Sequence, residues 1–406
     1  MTARRQTLAL TFILATVALD AIGIGLIFPV MPDLMIDVTH QSLGDAALWG
    51  GVLTASFAVM QFLFGPIVGN LSDRFGRRPV FLVSLVVMAL DYLVMAVAQT
   101  IWLLLAVRMV AGIAAATHST AAAYVADISA PDDRAKRFGL IGAAFGLGFV
   151  AGPLIGGLLA VIDTRAPFYA AAALAAANLV FGWLILPESL AQNLRRPFSL
   201  ARANPLSSFS AIRRLPGLKM LLVVSFIYAV TFNVWPALWS YYGKAAFGWD
   251  ATWIGISLAL FGICMAVAQA TLVGPMITRF GERRTATYGM VVETATYTFF
   301  GLVTSGTWAL IVTPVTALGG VTGPALQAMS SRLTPEDQQG ELQGINTSLN
   351  ALAMIIAPLV MTWIFQIFTA PDAPVYMPGA PFLLSALLMV AVVIVFVAMP
   401  RDAAPD

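Results

Sequence analysis

The sequence predicts an all-α membrane protein of twelve transmembrane helices in two pseudo-symmetric six-helix bundles. Three observations lead there. Charged residues make up 10% of the chain and apolar ones 59%, against roughly 25% and 45–50% in soluble domains, so the chain must sit in lipid. At about 20 residues per span plus short loops, 406 residues allow roughly twelve crossings. Finally, the basic stretch from Gly69 to Pro79, set between long apolar runs, has a weaker copy from Val273 to Arg284. Phe75–Gly76 and Phe280–Gly281 stand 205 residues apart, about half the chain. A charged hairpin repeated at half-length points to two homologous bundles, the construction of transporters that rock about a central site.

The apolar runs place the spans at 8–31, 46–70, 79–97, 101–127, 136–161, 166–187, 216–243, 251–277, 284–304, 307–331, 341–368 and 379–399. The first run is span-length and carries Asp20 where a cleavable signal would have a small-residue site, so it reads as a span. Pro29, Pro153, Pro236 and Pro358 predict kinks, and the 33 glycines suit close helix contacts in a membrane. Longer loops are expected at 32–49 and 371–381. The longest polar stretch, Glu188 to Lys219, separates six spans from six. The expected organisation is therefore an N-terminal bundle over 1–187, a linker over 188–215 and a C-terminal bundle over 216–406.

Charge placement orients the chain. Of the 22 Lys and Arg, Arg108 falls inside a span, and Arg165 and Lys244 fall in loops on one side. All the others lie on the opposite side, which the positive-inside rule makes cytoplasmic together with both termini and the linker. These arginines are topology anchors, so no nucleic-acid partner is implied. Cys264 is the only cysteine, which excludes a disulfide and a thiol metal site. Two histidines, His40 and His118, give no metal-binding pair and no nucleophile–base pair, so the chain does not read as an enzyme.

In the loop after span 2, Gly69 and Gly76 are expected to permit close approach and a tight reversal. Asp73 is expected at the positive end of a neighbouring helix, with Arg77 seeking a carboxylate, for which Asp127 at the end of span 4 is the natural partner. With Arg74, these residues read as a gate that holds one arrangement of the halves. Simple anchoring of the loop is the alternative, above all for Arg74 and Arg78. Span 5 carries Gly148, Gly152, Pro153, Gly156 and Gly157, a flat, kinked face suited to close helix packing.

Asp20, Asp91 and Glu293 each fall near the bilayer midplane, about 9–12 residues into their spans at 1.5 Å per residue. Three charges that deep are functional by default, and taking up and releasing a proton is the minimum chemistry of a proton antiporter. Arg108, about 10 Å inside span 4, would tune a neighbouring carboxylate or snorkel to the surface. His118 is a candidate relay or a hydrogen-bonded interior residue. Phe232, Trp235, Trp239, Tyr241 and Tyr242 would line an apolar cavity or, the better reading for aromatics alone, pack against lipid at the interface.

The loop after span 2 matches the signature loop of the major facilitator superfamily, and the span 5 pattern resembles the antiporter motif of its drug/proton exchangers. The chain as a whole resembles the tetracycline/proton antiporter group, in Leu19 to Val30, Met60–Gln61, Asp91–Tyr92, Arg108 to Asp127, Pro187–Glu188–Ser189, Pro324 to Gln327 and Gln339 to Gly344. The resemblance implies proton coupling through Asp20, Asp91, Arg108 and Glu293. It implies substrate contacts from Asp20, Gln61, His118, Asn233, Met265 and Gln269. It also implies a drug substrate exported from the cytoplasm across a bacterial inner membrane by a monomer, driven by the proton gradient without a cofactor. Magnesium enters only with the substrate, if that is tetracycline. Met265 stands where the group has a histidine, and Ala229 and Asn233 stand where it has two glutamines. Those departures keep a multidrug or metabolite/proton exporter that does not handle tetracycline as the alternative.

Overall fold

The computed structural model describes residues 3–115, 117–130, 133–199, 204 and 218–399, apart from the side chains of residues 3–7, 118 and 135. Every regular element among them is helical. In the first half these are α1 (Ala3–Ile27), α2 (Met31–Thr39), α3 (Leu43–Phe75), α4 (Arg77–Val97), α5 (Ile101–Ala114), α6 (Thr117–Ile128), α7 (Arg134–Ala160) and α8 (Ala166–Ile185). In the second they are α9 (Lys219–Phe232), α10 (Val234–Phe247), α11 (Ala251–Thr271), α12 (Val273–Leu302), α13 (Gly306–Gly319), α14 (Thr322–Arg332), α15 (Gln339–Thr369) and α16 (Ala380–Ala398).

Eleven segments among the described residues are long and apolar enough to cross a membrane. The twelfth crossing is the part of α12 after Gly281, whose threonines and Glu293 make it more polar than the others. Gly281 has φ 78°, breaking α12 there, and Gly76 separates α3 from α4 at φ 107°. Only glycine adopts such angles without strain, and the two residues are 205 positions apart.

Residues 32–49, expected as a loop, are mostly helical. After a turn of 3-10 helix at Phe28–Val30 the chain continues as α2, and only His40 to Ser42 separate it from α3. Pro29 and Pro32 sit in the first turns of their helices, where a missing N–H costs nothing. Ser42 then caps α3: its Oγ accepts the Asp45 N–H at 3.2 Å and donates to the Asp45 carboxylate at 2.7 Å.

Five spans expected as single helices are broken. Span 1 breaks at Phe28, span 4 at Ala115, span 7 at Asn233, span 8 at Leu272 and span 10 at Gly320. Phe28 and Asn233 are 205 residues apart, as are Ala115 and Gly320, so four of the breaks obey the repeat, while the one at Leu272 does not. A break frees backbone carbonyls that hydrocarbon cannot satisfy, and at three of these breaks a polar side chain donates to a carbonyl. Gln61 Nε2 donates to Ala115 O at 3.3 Å, Asn233 Nδ2 to Ala229 O at 2.8 Å, and the Thr322 hydroxyl to Gly319 O at 2.8 Å.

The chain divides into two compact units: Met1–His40 with Ser56–Pro205 and Ala251–Ala259, and Gln41–Ala55 with Leu206–Asp250 and Leu260–Asp406. Within the first, a Cβ at Gly148, Gly152 or Gly156 would strike the backbone of Ala18, Ile22 or Leu26, so α7 packs backbone to backbone on α1. Gly157 meets Ala251 in the same way, and Gly255 meets Pro153. Within the second, Gly51 lies against Pro358 and Thr362, the positions 205 beyond Pro153 and Gly157. Most of the linker lies outside the described residues.

Candidate functional site

Each unit holds a buried carboxylate site beside a helix break. In the first unit Asp20 on α1 is 9% exposed, and Thr117, at the start of α6, and Asn178, on α8, approach its carboxyl. Thr16, one turn earlier on α1, donates its hydroxyl to Asn178 Oδ1 at 2.9 Å. That bond commits the amide oxygen, while the buried Asn178 NH2 end and the Thr117 hydroxyl make no hydrogen bond among the described residues. Asp91 on α4 forms an ion pair with Arg108 Nη1 on α5 at 2.7 Å. The Arg108 guanidinium also lies over the Phe57 ring, 4.8 Å from its centroid, so it does not snorkel away. Tyr92 is buried beside Asp20, Asp91 and Arg108 and joins the two carboxyls into one polar neighbourhood.

In the second unit Glu293 on α12 is buried without a cationic partner among the described residues. It accepts a hydrogen bond from the Tyr228 hydroxyl of α9 at 3.3 Å, and its Oε2 lies 3.4 Å from the Thr322 hydroxyl of α14, whose single hydrogen goes to Gly319 O at 2.8 Å. Thr322 thereby bridges the carboxyl to the break in span 10. Met265 fills the other side of that break, its thioether lying against Gly320.

Gln61 and Asn233, expected at the substrate, are placed at breaks, Gln61 donating to the freed Ala115 carbonyl and Asn233 to the Ala229 carbonyl, which also accepts the Asn233 backbone N–H. Gln269 is exposed near the end of α11. His118 lies on α6, but its side chain is outside the described residues. The aromatics of α10 are neither scattered nor lipid-facing as a set. Trp235 packs against Trp239, Phe261, Tyr297, Phe300 and Phe382, an interior cluster adjoining Glu293 through Tyr297.

The loop between α3 and α4 is built around Arg77. Its guanidinium pairs with Asp73 at 2.7 Å and Asp127 at 3.2 Å and reaches the Ser72 hydroxyl at 3.2 Å. Asp73 therefore sits on Arg77 rather than on a helix terminus. The acid at the N-terminus of α4 is Glu188, which accepts the backbone N–H groups of Arg77 at 2.8 Å and Arg78 at 3.2 Å, and that of Leu190 at 3.0 Å. A Cβ at Gly76 would strike that carboxylate, a second reason for glycine there. Gly69, by contrast, faces open space, and Arg74 is exposed and stacks on Phe75. Ser189 donates to Asp127 at 2.9 Å, so the start of the linker is strapped to the loop.

A family model described as the Major Facilitator Superfamily matches residues 13–235 and 220–406. The chain belongs to that superfamily. It is a membrane transporter and not an enzyme, and its twelve-span fold is that of the family. It is 46% identical over 357 residues to tetracycline resistance protein, class C, of Escherichia coli, covering 88% of this chain and 89% of that one. It is 39% identical over 360 residues to the class G protein of Vibrio anguillarum, covering 87% and 89%. A crystallised nucleoside transporter shares the fold with a TM-score of 0.78 at 13% identity, covering 96% of this chain and 98% of the other.

Sequence reasoning did not single out Glu188, Thr322, Tyr228 or Asn178 as functional. Glu188 stood in a quoted run, Pro187–Glu188–Ser189, and its place directly after a span was the one available signal. The other three are ordinary residues within apolar spans, marked only by what they touch.

Proposed function

We propose that this major facilitator protein is a proton-coupled antiporter that exports a small drug from the cytoplasm, and that the drug is tetracycline as its magnesium chelate. The observation that carries this reading is the set of buried carboxyls beside broken spans: Asp20 and Asp91 in one unit, Glu293 in the other. Broken helices present free backbone polarity to a ligand at the midplane, and a buried carboxyl packed beside a broken span can exchange a proton in step with it. The extensive likeness to two tetracycline resistance proteins supports the substrate.

In this reading Asp20 binds the drug as well as the proton, with Asn178 and Thr117 beside its carboxyl. Arg108 holds Asp91, and Glu293 carries the exchanged proton of the second unit. Asp73, Arg77 and Asp127 form a gate whose pairs hold one conformation and loosen in the other. Both termini face the cytoplasm of a bacterial inner membrane, and one chain suffices for transport.

Met265 supports a second reading. A thioether packed into the span 10 break carries no proton and binds hard magnesium poorly, which suits a multidrug or metabolite/proton exporter that does not move tetracycline. One experiment separates them: a drug panel, tetracycline with and without magnesium included, applied to energised inverted vesicles. Tetracycline-dependent proton release that needs magnesium supports the first reading. Release with other drugs alone supports the second, and release with none defeats both. Orientation is checked by single cysteines in a Cys264-free variant: positions 202 and 401 should resist an impermeant thiol reagent outside whole cells, while 40 and 163 react.

A further inference from the structure

The repeat carries one more correspondence. Arg77 and Asp127 join the start of α4 to the end of α6 at 3.2 Å. The positions 205 further on are Glu282 and Arg332, and these also pair, Arg332 Nε to Glu282 Oε2 at 3.4 Å. They join α12 just after its break to the end of α14. The same two places in the second unit thus hold an ion pair of opposite polarity.

The register of this match is fixed by its neighbours. Arg74 stacks on Phe75 and Arg279 on Phe280. Gly76 and Gly281 both take positive φ. Arg78 donates to Trp183 O near the end of α8 at 2.7 Å, and Arg283 donates to Phe396 O, Val397 O and Met399 O at the end of α16. Each of these arginines caps the final helix of its half. Only the Arg77–Asp127 polarity is reversed, and Thr278 replaces Asp73. In each unit the partner of the latch residue lies 50 residues downstream, outside the repeated loop.

The two paired helices are also those that position the proton site. Glu293 lies three turns beyond Glu282 on α12, and Thr322 begins α14, which ends at Arg332. The 3.4 Å contact of the Thr322 hydroxyl with the Glu293 carboxyl therefore depends on the register between these helices, and the ion pair clamps their far ends. We propose that Glu282 and Arg332 are positioning residues for Glu293: a charge-inverted second latch that holds α12 against α14 so that the carboxyl meets its hydroxyl partner. This inference rests on the antiport reading.

The test is charge reversal and exchange in vesicles whose parent protein transports a drug from the panel above. Glu282→Arg sets two cations together and should slow proton-driven efflux on the order of fivefold or more, since a paired contact of modest strength is replaced by repulsion. Energy-independent drug exchange should stay within about twofold, because the drug site is untouched. The double variant Glu282→Arg with Arg332→Glu restores the pair and should recover most of the driven efflux. Glu282→Gln, which folds with the least disturbance, should fall between. Unchanged driven efflux in Glu282→Arg overturns the proposal. So does equal loss of driven efflux and exchange that the double variant does not rescue. A parent that moves no drug fails the antiport reading itself, a separate result.

Discussion

Asp91 and Glu293 are both buried carboxyls on a helix packed beside a broken span, yet their surroundings differ in kind. Asp91 faces a guanidinium at 2.7 Å, whereas Glu293 faces two hydroxyls at 3.3 and 3.4 Å. Protonating Asp91 would discard an ion pair and strand the Arg108 charge. Protonating Glu293 only rearranges its hydrogen bonds, since a carboxylic acid can donate where the carboxylate accepted. One fold built twice has thus produced a carboxyl suited to holding a charge in place and another suited to exchanging a proton.

The largest effect that would break this comparison comes from neutralising each carboxyl in turn. Glu293→Gln keeps size and hydrogen bonding, so the protein should fold and insert normally, lose proton-driven efflux completely and retain energy-independent exchange. Substrate-dependent proton movement equal to the parent's would make Glu293 structural. Asp91→Asn should instead lower the yield of folded protein along with transport, because it leaves Arg108 unpaired.

Arg108→Leu sharpens the same point from the cation side. An unpaired buried carboxylate costs about 3–5 kcal/mol, which should appear as a lowered unfolding midpoint in detergent. Adding Asp91→Leu should recover most of that loss while leaving transport dead. If the single variant is as stable as the parent, the pair is not what holds Asp91.

A smaller effect is expected at the linker. Glu188→Ala removes an acceptor from the first two N–H groups of α4, worth about 1–2 kcal/mol, and should slow efflux without altering drug affinity. Smallest of all, Tyr228→Phe and Thr322→Val each delete one hydroxyl from Glu293, at about 1 kcal/mol apiece. The two together should depress driven efflux more than their separate effects predict if both hydroxyls act on one carboxyl.

Much of the architecture was readable without coordinates. Low charge, apolar runs and the half-length repeat led directly to twelve spans in two bundles, and the Arg77–Asp127 pair followed from charge types at neighbouring span ends. Kinks were expected at Pro29 and Pro236, beside which span 1 and span 7 break, and also at Pro153 and Pro358, which lie inside continuous helices; the break at Ala115 was not readable. Ala115 lies among good helix formers and without proline, and the break there is tolerated because Gln61, on a different helix, takes up the freed carbonyl. The stretch 32–49 looked like a loop because its polar residues and prolines outweighed a short amphipathic helix. The aromatics of α10 read as interfacial by composition, yet they form an interior cluster because several helices converge on Trp235.

By itself the sequence determined what depends on distance along the chain: residence in lipid, the number of crossings, the 205-residue register, and how far along their spans Asp20, Asp91 and Glu293 stand. That position follows from 1.5 Å per residue along one helix, so no neighbour enters it. The tertiary structure alone decided what lies beside each of these groups: Asn178 at Asp20, Tyr228 and Thr322 at Glu293, Glu188 at the start of α4, and Arg332 on Glu282. Such pairings depend on how helices rotate and pack laterally, which small residues and breaks settle jointly across several spans. A buried carboxyl's chemistry is set by the groups within a few ångströms of it, and in this protein most of those groups come from other helices.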